Sequence, residues 1–172
     1  MPIYYVLQNQ TYKQERQGGY VWAPQTNQGG KQNAGYKMMT ELKQGDFILH
    51  HCKRKLMAIS VAKNDCYESN QPHELVTAEK DIDWDEAGYR VDVEYYDFNP
   101  QLNMKELEAW LRENHIQGSA FTKFGTGKEQ YMCALADEHA KYILKKLIEL
   151  QGNDEVLKIL RLALDKIANI AN

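Results

Sequence analysis

The chain has 172 residues, 43% hydrophobic and 26% charged, the composition of one globular domain long enough to fold around its own core without covalent staples. A formal net charge of −3 argues against a protein that coats nucleic acid through phosphate contacts alone, because such surfaces are normally basic. Three scattered cysteines, Cys52, Cys66 and Cys133, suit neither a disulfide framework nor a zinc-ligand set. No metal or cofactor is therefore expected, and a reducing, cytoplasmic setting is the simplest reading.

The opening MPIYYVLQNQTYK lacks the basic region and apolar core of a signal peptide. Residues 3–8 (IYYVLQ) are β-branched and aromatic and read as a strand. Residues 9–19 are polar and end in Gly18-Gly19, a turn signal. Tyr20-Val21-Trp22 reads as a second strand, stopped by Pro24, and the Gln-, Asn- and Gly-rich residues 25–35 as a loop. A short helix is expected over 36–43. Residues 46–52 (DFILHHC) and 56–62 (LMAISVA) are the clearest strand pair, a hairpin linked by Lys53-Arg54-Lys55. Residues 63–86 form a long irregular stretch, of a length usually tied to function or disorder.

In 89–98 (YRVDVEYYDF), Val91, Val93 and Tyr95 alternate with Asp92, Glu94 and Tyr96, the pattern of a half-buried strand. Asn103 is a good N-cap for a helix over 104–113, with Leu107, Trp110 and Leu111 on one side. A glycine-containing loop over 121–127 leads to a last strand at 130–135. Asp137 starts a helix to about Leu150, broken by Gly152. In a final helix over about 154–170, Val156, Leu160, Ala163, Ile167 and Ile170 follow 4-3-4-3 spacing. That face either packs on the rest of the domain or serves as a dimer face or a connector to a further domain. Short strands with helices and no alternating βαβ pattern predict an α+β fold, a small curved β-barrel with flanking helices and a C-terminal helical extension.

Enzyme signatures are missing. Gly125-Thr126-Gly127-Lys128 lacks the spacing of a phosphate-binding P-loop, and no Gly-x-Ser-x-Gly elbow occurs. His50, His51 and Cys52 are contiguous, and on a strand neighbours point to opposite faces, so they cannot readily share a metal. Glu41-Leu42-Lys43 matches only the end of a nuclease motif, without its upstream carboxylate.

The order of the motifs resembles the YTH/EVE group of PUA-like domains, which read modified bases. The resemblance runs through Tyr4-Tyr5-Val6-Leu7-Gln8-Asn9-Gln10, then Gly19-Tyr20-Val21-Trp22-Ala23-Pro24, then the hairpin from Gly45-Asp46 to Ala62. A long loop with a second Trp, the strand Gly88-Tyr89-Arg90-Val91-Asp92-Val93 and a Gly/basic loop over 123–128 complete it. It covers residues 1–135, leaving 136–172 as a helical extension or linker. The segments at 19–24, 45–46 and 88–91 are most similar to reader domains at the N-terminus of bacterial modification-dependent restriction proteins. There such a domain precedes a nuclease or motor effector.

The resemblance implies a pocket for a flipped base, methylated cytosine or N6-methyladenine, with no catalysis of its own. Trp22 and Trp84 match the aromatic walls, and Asn9 and Gln10 the turn that bonds the base edge. The Ala23 carbonyl matches the acceptor for an exocyclic amine, and Lys123 and Lys128 the phosphate-contacting loop. Gln10 stands where many YTH domains have Asn. Read as residues alone, Trp22 is a cage wall or a core plug, and Asn9 and Gln10 read the base or merely form the turn. His50 or His51 lines the pocket or satisfies a core hydrogen bond. Lys53, Arg54 and Lys55 contact phosphate or form a solvated turn. The competing function is a PUA-like domain for unmodified RNA or a small ligand.

Overall fold

The computed structural model describes residues 2–26, 29–31, 33–76 and 87–170. Its strands are β1 (Tyr4–Leu7), β2 (Tyr20–Pro24), β3 (Phe47–Cys52), β4 (Lys55–Ala62), β5 (Tyr67–Asn70), β6 (Ala87–Asn103) and β7 (Met132–Ala134). They form one curled mixed sheet in the order β2-β6-β4-β3-β1-β7, with β5 also on β6. Among the described residues only β1 and β3 pair in parallel. The helices are α1 (Tyr12–Gly18), α2 (Ala34–Lys37), α3 (His73–Val76), α4 (Glu108–Glu113), α5 (Asp137–Leu150) and α6 (Asp154–Ile170).

Strand alternation divides the sheet into two packed faces. Tyr4, Val6, Ile48, Ala58, Val91, Val93 and Met132 turn into the curl of the sheet. Ile3, Tyr5, Phe47, Leu49, Ile59 and Cys133 turn the other way, onto Leu111 of α4, Ile143 and Leu147 of α5, and Val156, Leu160, Ala163 and Ile167 of α6. The apolar stripe of the last helix is thus spent inside the chain. Leu160, Ala163 and Ile167 are at most 1% exposed, so of the expected alternatives this stripe follows the one that packs on the rest of the domain; the Ile170 side chain lies outside the described residues. Polar fastenings add to this packing. The Gln151 side chain accepts from the Asn99 N–H at 2.8 Å and donates to the Pro100 carbonyl at 2.7 Å. Lys166 reaches the buried Asp46 at 3.4 Å.

Most expected elements form, with informative differences. Residues 12–18, expected as a polar turn, are α1; Lys, Gln, Glu and Arg are good helix formers, and Gly19 closes the helix in the left-handed conformation (φ 73°). The stretch after Ala62 contains β5 and α3, while 77–86 lies outside the described residues. β6 runs on to Asn103 rather than ending at Phe98: its register against β4 jumps from Ala58↔Asp97 to Leu56↔Leu102, a bulge that accommodates Pro100. The β3–β4 link is a two-residue turn in which Lys53 (φ 49°) and Arg54 (φ 67°) are both left-handed. That geometry normally selects Asn or Gly and costs other residues about 1–2 kcal/mol each.

Candidate nucleic-acid interface

The strained hairpin tip is pinned by two side chains. Asn9 Oδ1 accepts the Lys53 N–H at 2.7 Å, and His51 Nε2 accepts the Arg54 N–H at 3.1 Å. The Arg54 carbonyl in turn accepts the Met104 N–H at 2.8 Å. Around this tip opens a cleft of about 760 Å³, within the roughly 300–1,000 Å³ of small-molecule sites. Tyr5, Leu7, Met104 and Phe121 line it with apolar surface; Asn9, Gln10 and His51 add polar groups; Lys53, Arg54, Lys105, Glu108 and Glu129 supply charge. His51 stands edge-on to Tyr5, and Tyr5 edge-on to Phe121, with ring centroids 5.6 and 5.3 Å apart.

The loop 121–127 forms one wall. Its ends pair as an isolated bridge between Phe121 and Gly127, and the Thr122 N–H donates to the Thr126 carbonyl at 2.7 Å. At its tip Phe124 is 61% exposed, with the Lys123 ammonium 5.2 Å from its ring centre. Gly125 (φ 85°) lets the loop lie against α4, where an added Cβ would come within 2.1 Å of the Glu108 carbonyl. A closed turn offering an exposed aromatic ring beside a cleft is a preformed stacking platform.

His50 and His51 occupy opposite faces. His50 lies inside the curl, its Nδ1 2.7 Å from Gln8 Oε1 and its Nε2 2.6 Å from Ser60 Oγ. The Gln8 amide donates to Glu15 at 2.8 Å, and Glu15 also accepts from Thr11 Oγ1 at 2.7 Å, the Trp22 N–H at 2.9 Å and the Tyr131 hydroxyl. Glu15 is fully buried. Burial pushes its carboxyl above the ordinary range, opposed by the hydrogen bonds it accepts. Burial also holds His50 down at about 3 and His51 at about 4, so both rings are neutral near pH 7.

The structure gathers Asn9, Gln10, His51, Lys53 and Arg54 at the cleft and separates the other expected residues from it. Trp22 sits opposite Arg90 near the start of β6, whereas Lys55, beside the cleft, sits opposite Asn103 at its end. Trp22 is 4% exposed; its indole donates to the Ser69 carbonyl at 3.0 Å, and it packs with Tyr20 and Leu75. Gly88 lies flat on the indole, where an added Cβ would fall within 2.2 Å of the ring. The bonds Val93 N–H to Gly19 carbonyl and Gln25 N–H to Ala87 carbonyl bracket the β2–β6 ladder. Their alternation aims the Ala23 carbonyl at Tyr89, while the main chain of Trp22, like that of Tyr20, faces away from β6. Lys55, Lys123 and Lys128 are off the cleft lining, and Trp84 lies outside the described residues.

No family model matches the sequence, and no curated protein matches it. Solved structures do. Rpa0253 from Rhodopseudomonas palustris aligns with a TM-score of 0.56 at 12% identity, over 88% of this chain and 97% of that one. Human THYN1, in complex with 5-methylcytosine-containing DNA, aligns at 0.54 and 9% identity, over 86% and 98%. The YTH domain of Zygosaccharomyces rouxii MRB1, in complex with N6-methyladenosine RNA, aligns at 0.51 and 10% identity, over 85% and 86%. The fold is PUA-like, of the YTH/EVE type. Within that fold, the sequence pointed to Asn9, Gln10 and the hairpin tip, but not to Tyr5, Phe121, Phe124, Lys105 or Glu15. Tyr5 was accessible through parity: β1 pairs in register with β3, Tyr5 opposite Leu49 and Leu7 opposite His51, which puts Tyr5 and His51 on one face.

Proposed function

We propose that the chain binds a nucleic-acid strand carrying a modified base, an unstacked base entering the cleft while adjoining phosphates meet Lys53 and Arg54. The observation that carries this reading is the construction of the cleft: an aromatic floor, a wall made by the closed turn whose tip exposes Phe124, and cations on a hairpin tip held in a strained conformation. Strained backbone persists where the surroundings over-determine it, which is common at ligand clamps. The fold neighbours bound to N6-methyladenosine RNA and to 5-methylcytosine DNA support the ligand class.

The energetics fit a reader with few phosphate contacts. Extruding a base costs a few kcal/mol, and stacking on an aromatic ring returns about 1–3 kcal/mol. A buried methyl adds about 0.8 kcal/mol, so base identity has to come from polar groups. We place the domain as the DNA-recognition part of a modification-dependent restriction or defence system, its nuclease or motor effector in another domain or subunit. Sequence motifs at 19–24, 45–46 and 88–91 support that context.

A second placement of the base is favoured by one observation. Tyr20, Trp22 and Leu75 form a cluster separate from both sheet faces, of the aromatic and aliphatic make-up a methylated base needs. Fluorescence anisotropy on matched strands without modification and with 5-methylcytosine, 5-hydroxymethylcytosine or N6-methyladenine tests the function, using wild type, Arg54→Ala and Trp22→Ala. One modified strand binding at least tenfold tighter, weakened by Arg54→Ala, is expected. Equal binding of all strands would refute modification reading, and loss confined to Trp22→Ala would move the base to the second placement.

A further inference from the structure

The geometry points to Tyr5 as the residue that selects what enters the cleft: its hydroxyl is a donor aimed inward, and the group it meets is a ring carbonyl oxygen of the base. This rests on the cleft being the nucleic-acid site and goes further, because it names the edge that is read.

The direction of the Tyr5 proton follows from counting protons at His51. The Arg54 backbone N–H can only donate, and it sits 3.1 Å from His51 Nε2. That nitrogen is therefore bare. A neutral imidazole carries one N–H, which must then be on Nδ1, 2.5 Å from the Tyr5 hydroxyl oxygen. Tyr5 accepts that hydrogen bond. Its own hydrogen has no other hydrogen-bond partner among the described residues, and Tyr5 lines the cleft. Burial pushes the phenol well above its ordinary range, so the hydrogen stays on the oxygen at any working pH. The opposite arrangement, Tyr5 donating to Nδ1, would need an imidazole with no proton at all.

The surroundings choose the acceptor. Tyr5, Phe121, Met104 and Leu7 form the floor, while Lys53 and Arg54 are exposed at the rim. An anion drawn down to the floor would exchange its hydration for one neutral donor, a poor trade. A neutral carbonyl needs only that donor. At the mouth, Asn9 has its oxygen occupied by the Lys53 N–H and keeps its amide hydrogens for the ligand. A donor at depth beside the Asn9 amide hydrogens favours cytosine-derived bases, which present two adjacent acceptors, O2 and N3, over N6-methyladenine, whose ring nitrogens accept but do not stand side by side on one edge.

Two measurements on the whole chain test this. Long-range ¹⁵N–¹H spectra at pH 7 should show His51 protonated on Nδ1 and bare on Nε2; the reverse tautomer overturns the inference. Anisotropy with matched 5-methylcytosine and N6-methyladenine strands should show wild type preferring the former at least tenfold. Tyr5→Phe should remove about tenfold of affinity for it and leave affinity for the N6-methyladenine strand unchanged; because it also strands the buried His51 Nδ1–H, the urea midpoint falls, and the ratio of the two affinities is the readout. A Tyr5→Phe protein that keeps the preference, or a wild type that prefers N6-methyladenine, overturns the role given to Tyr5 while nucleic-acid binding stands. Failure of wild type to bind any strand refutes the cleft as a nucleic-acid site, and the role of Tyr5 falls with it.

Discussion

His50 and His51 are neighbours in one strand, yet one belongs to a sealed region and the other to an open one. Behind His50, inside the curl, the side chains answer one another: Ser60 to His50, His50 to Gln8, Gln8 to Glu15, and Glu15 to Thr11, Tyr131 and the Trp22 N–H. Behind His51 the chain of bonds runs from the Arg54 amide through the ring to Tyr5 and ends at the cleft with a hydrogen to spare. A closed network specifies the packing of α1 and β2 on the sheet. An open one offers a partner to something outside. Substitutions on the first side should register in stability, and those on the second in binding.

The largest effect should come from Glu15→Ala. Removing a buried carboxylate strands donors from Gln8, Thr11, Trp22 and Tyr131, and we expect a loss of at least about 3 kcal/mol, read from urea unfolding. A loss under about 1 kcal/mol would show that water replaces the carboxylate and that the interior is not sealed.

Acid should come next. His50 and His51 are held at about 3 and 4 against an ordinary 6.5. Between those values the unfolded chain takes up protons that the folded chain refuses. Stability therefore falls as pH drops from 6.5 toward 4, by up to roughly 1.4 kcal/mol per pH unit for each ring. Glu15, pushed the other way, opposes this just above its ordinary range. A stability flat from pH 7 to 4.5 in urea titrations would contradict the burial of both rings.

On the open side, Phe124→Ala should cost about 1–3 kcal/mol of strand affinity while moving the unfolding midpoint by less than about 0.5 kcal/mol. Arg54→Ala should lower the log–log salt slope of binding by about one. The smallest effect sharpens the contrast most. Lys53→Gly relieves a left-handed backbone, so stability should rise by about 0.5 kcal/mol even as affinity falls. A substitution that improves folding and harms binding marks strain kept for a ligand.

Much of the fold was legible because its signals are local. The β3–β4 strand pair, the alternation of 89–98, the Asn103-capped turn that leads into α4 and the helix that starts at Asp137 each follow from signals within a dozen residues. α1 escaped because its one buried contact residue, Glu15, is charged, and no apolar stripe betrays a helix that docks through a carboxylate. The site was legible in part for the same reason. Asn9, Gln10 and the tip at Lys53-Arg54 are conspicuous as polar or basic residues at turns, but their meeting depends on the parallel pairing of β1 with β3, a long-range fact. Trp22 drew attention as a large aromatic residue after a glycine pair, and strand direction then carried it to the far end of β6 from the hairpin tip.

The central claim is that nucleic acid engages the cleft beside His51. Backbone amide chemical-shift mapping with the tightest-binding modified strand tests it most directly. The account predicts perturbations concentrated at Asn9, Lys53, Arg54 and Phe124 to Gly127, with Ser69, Gly88 and Trp22 unmoved. Perturbations confined to Trp22, Ser69 and Gly88, with the hairpin tip silent, would contradict it.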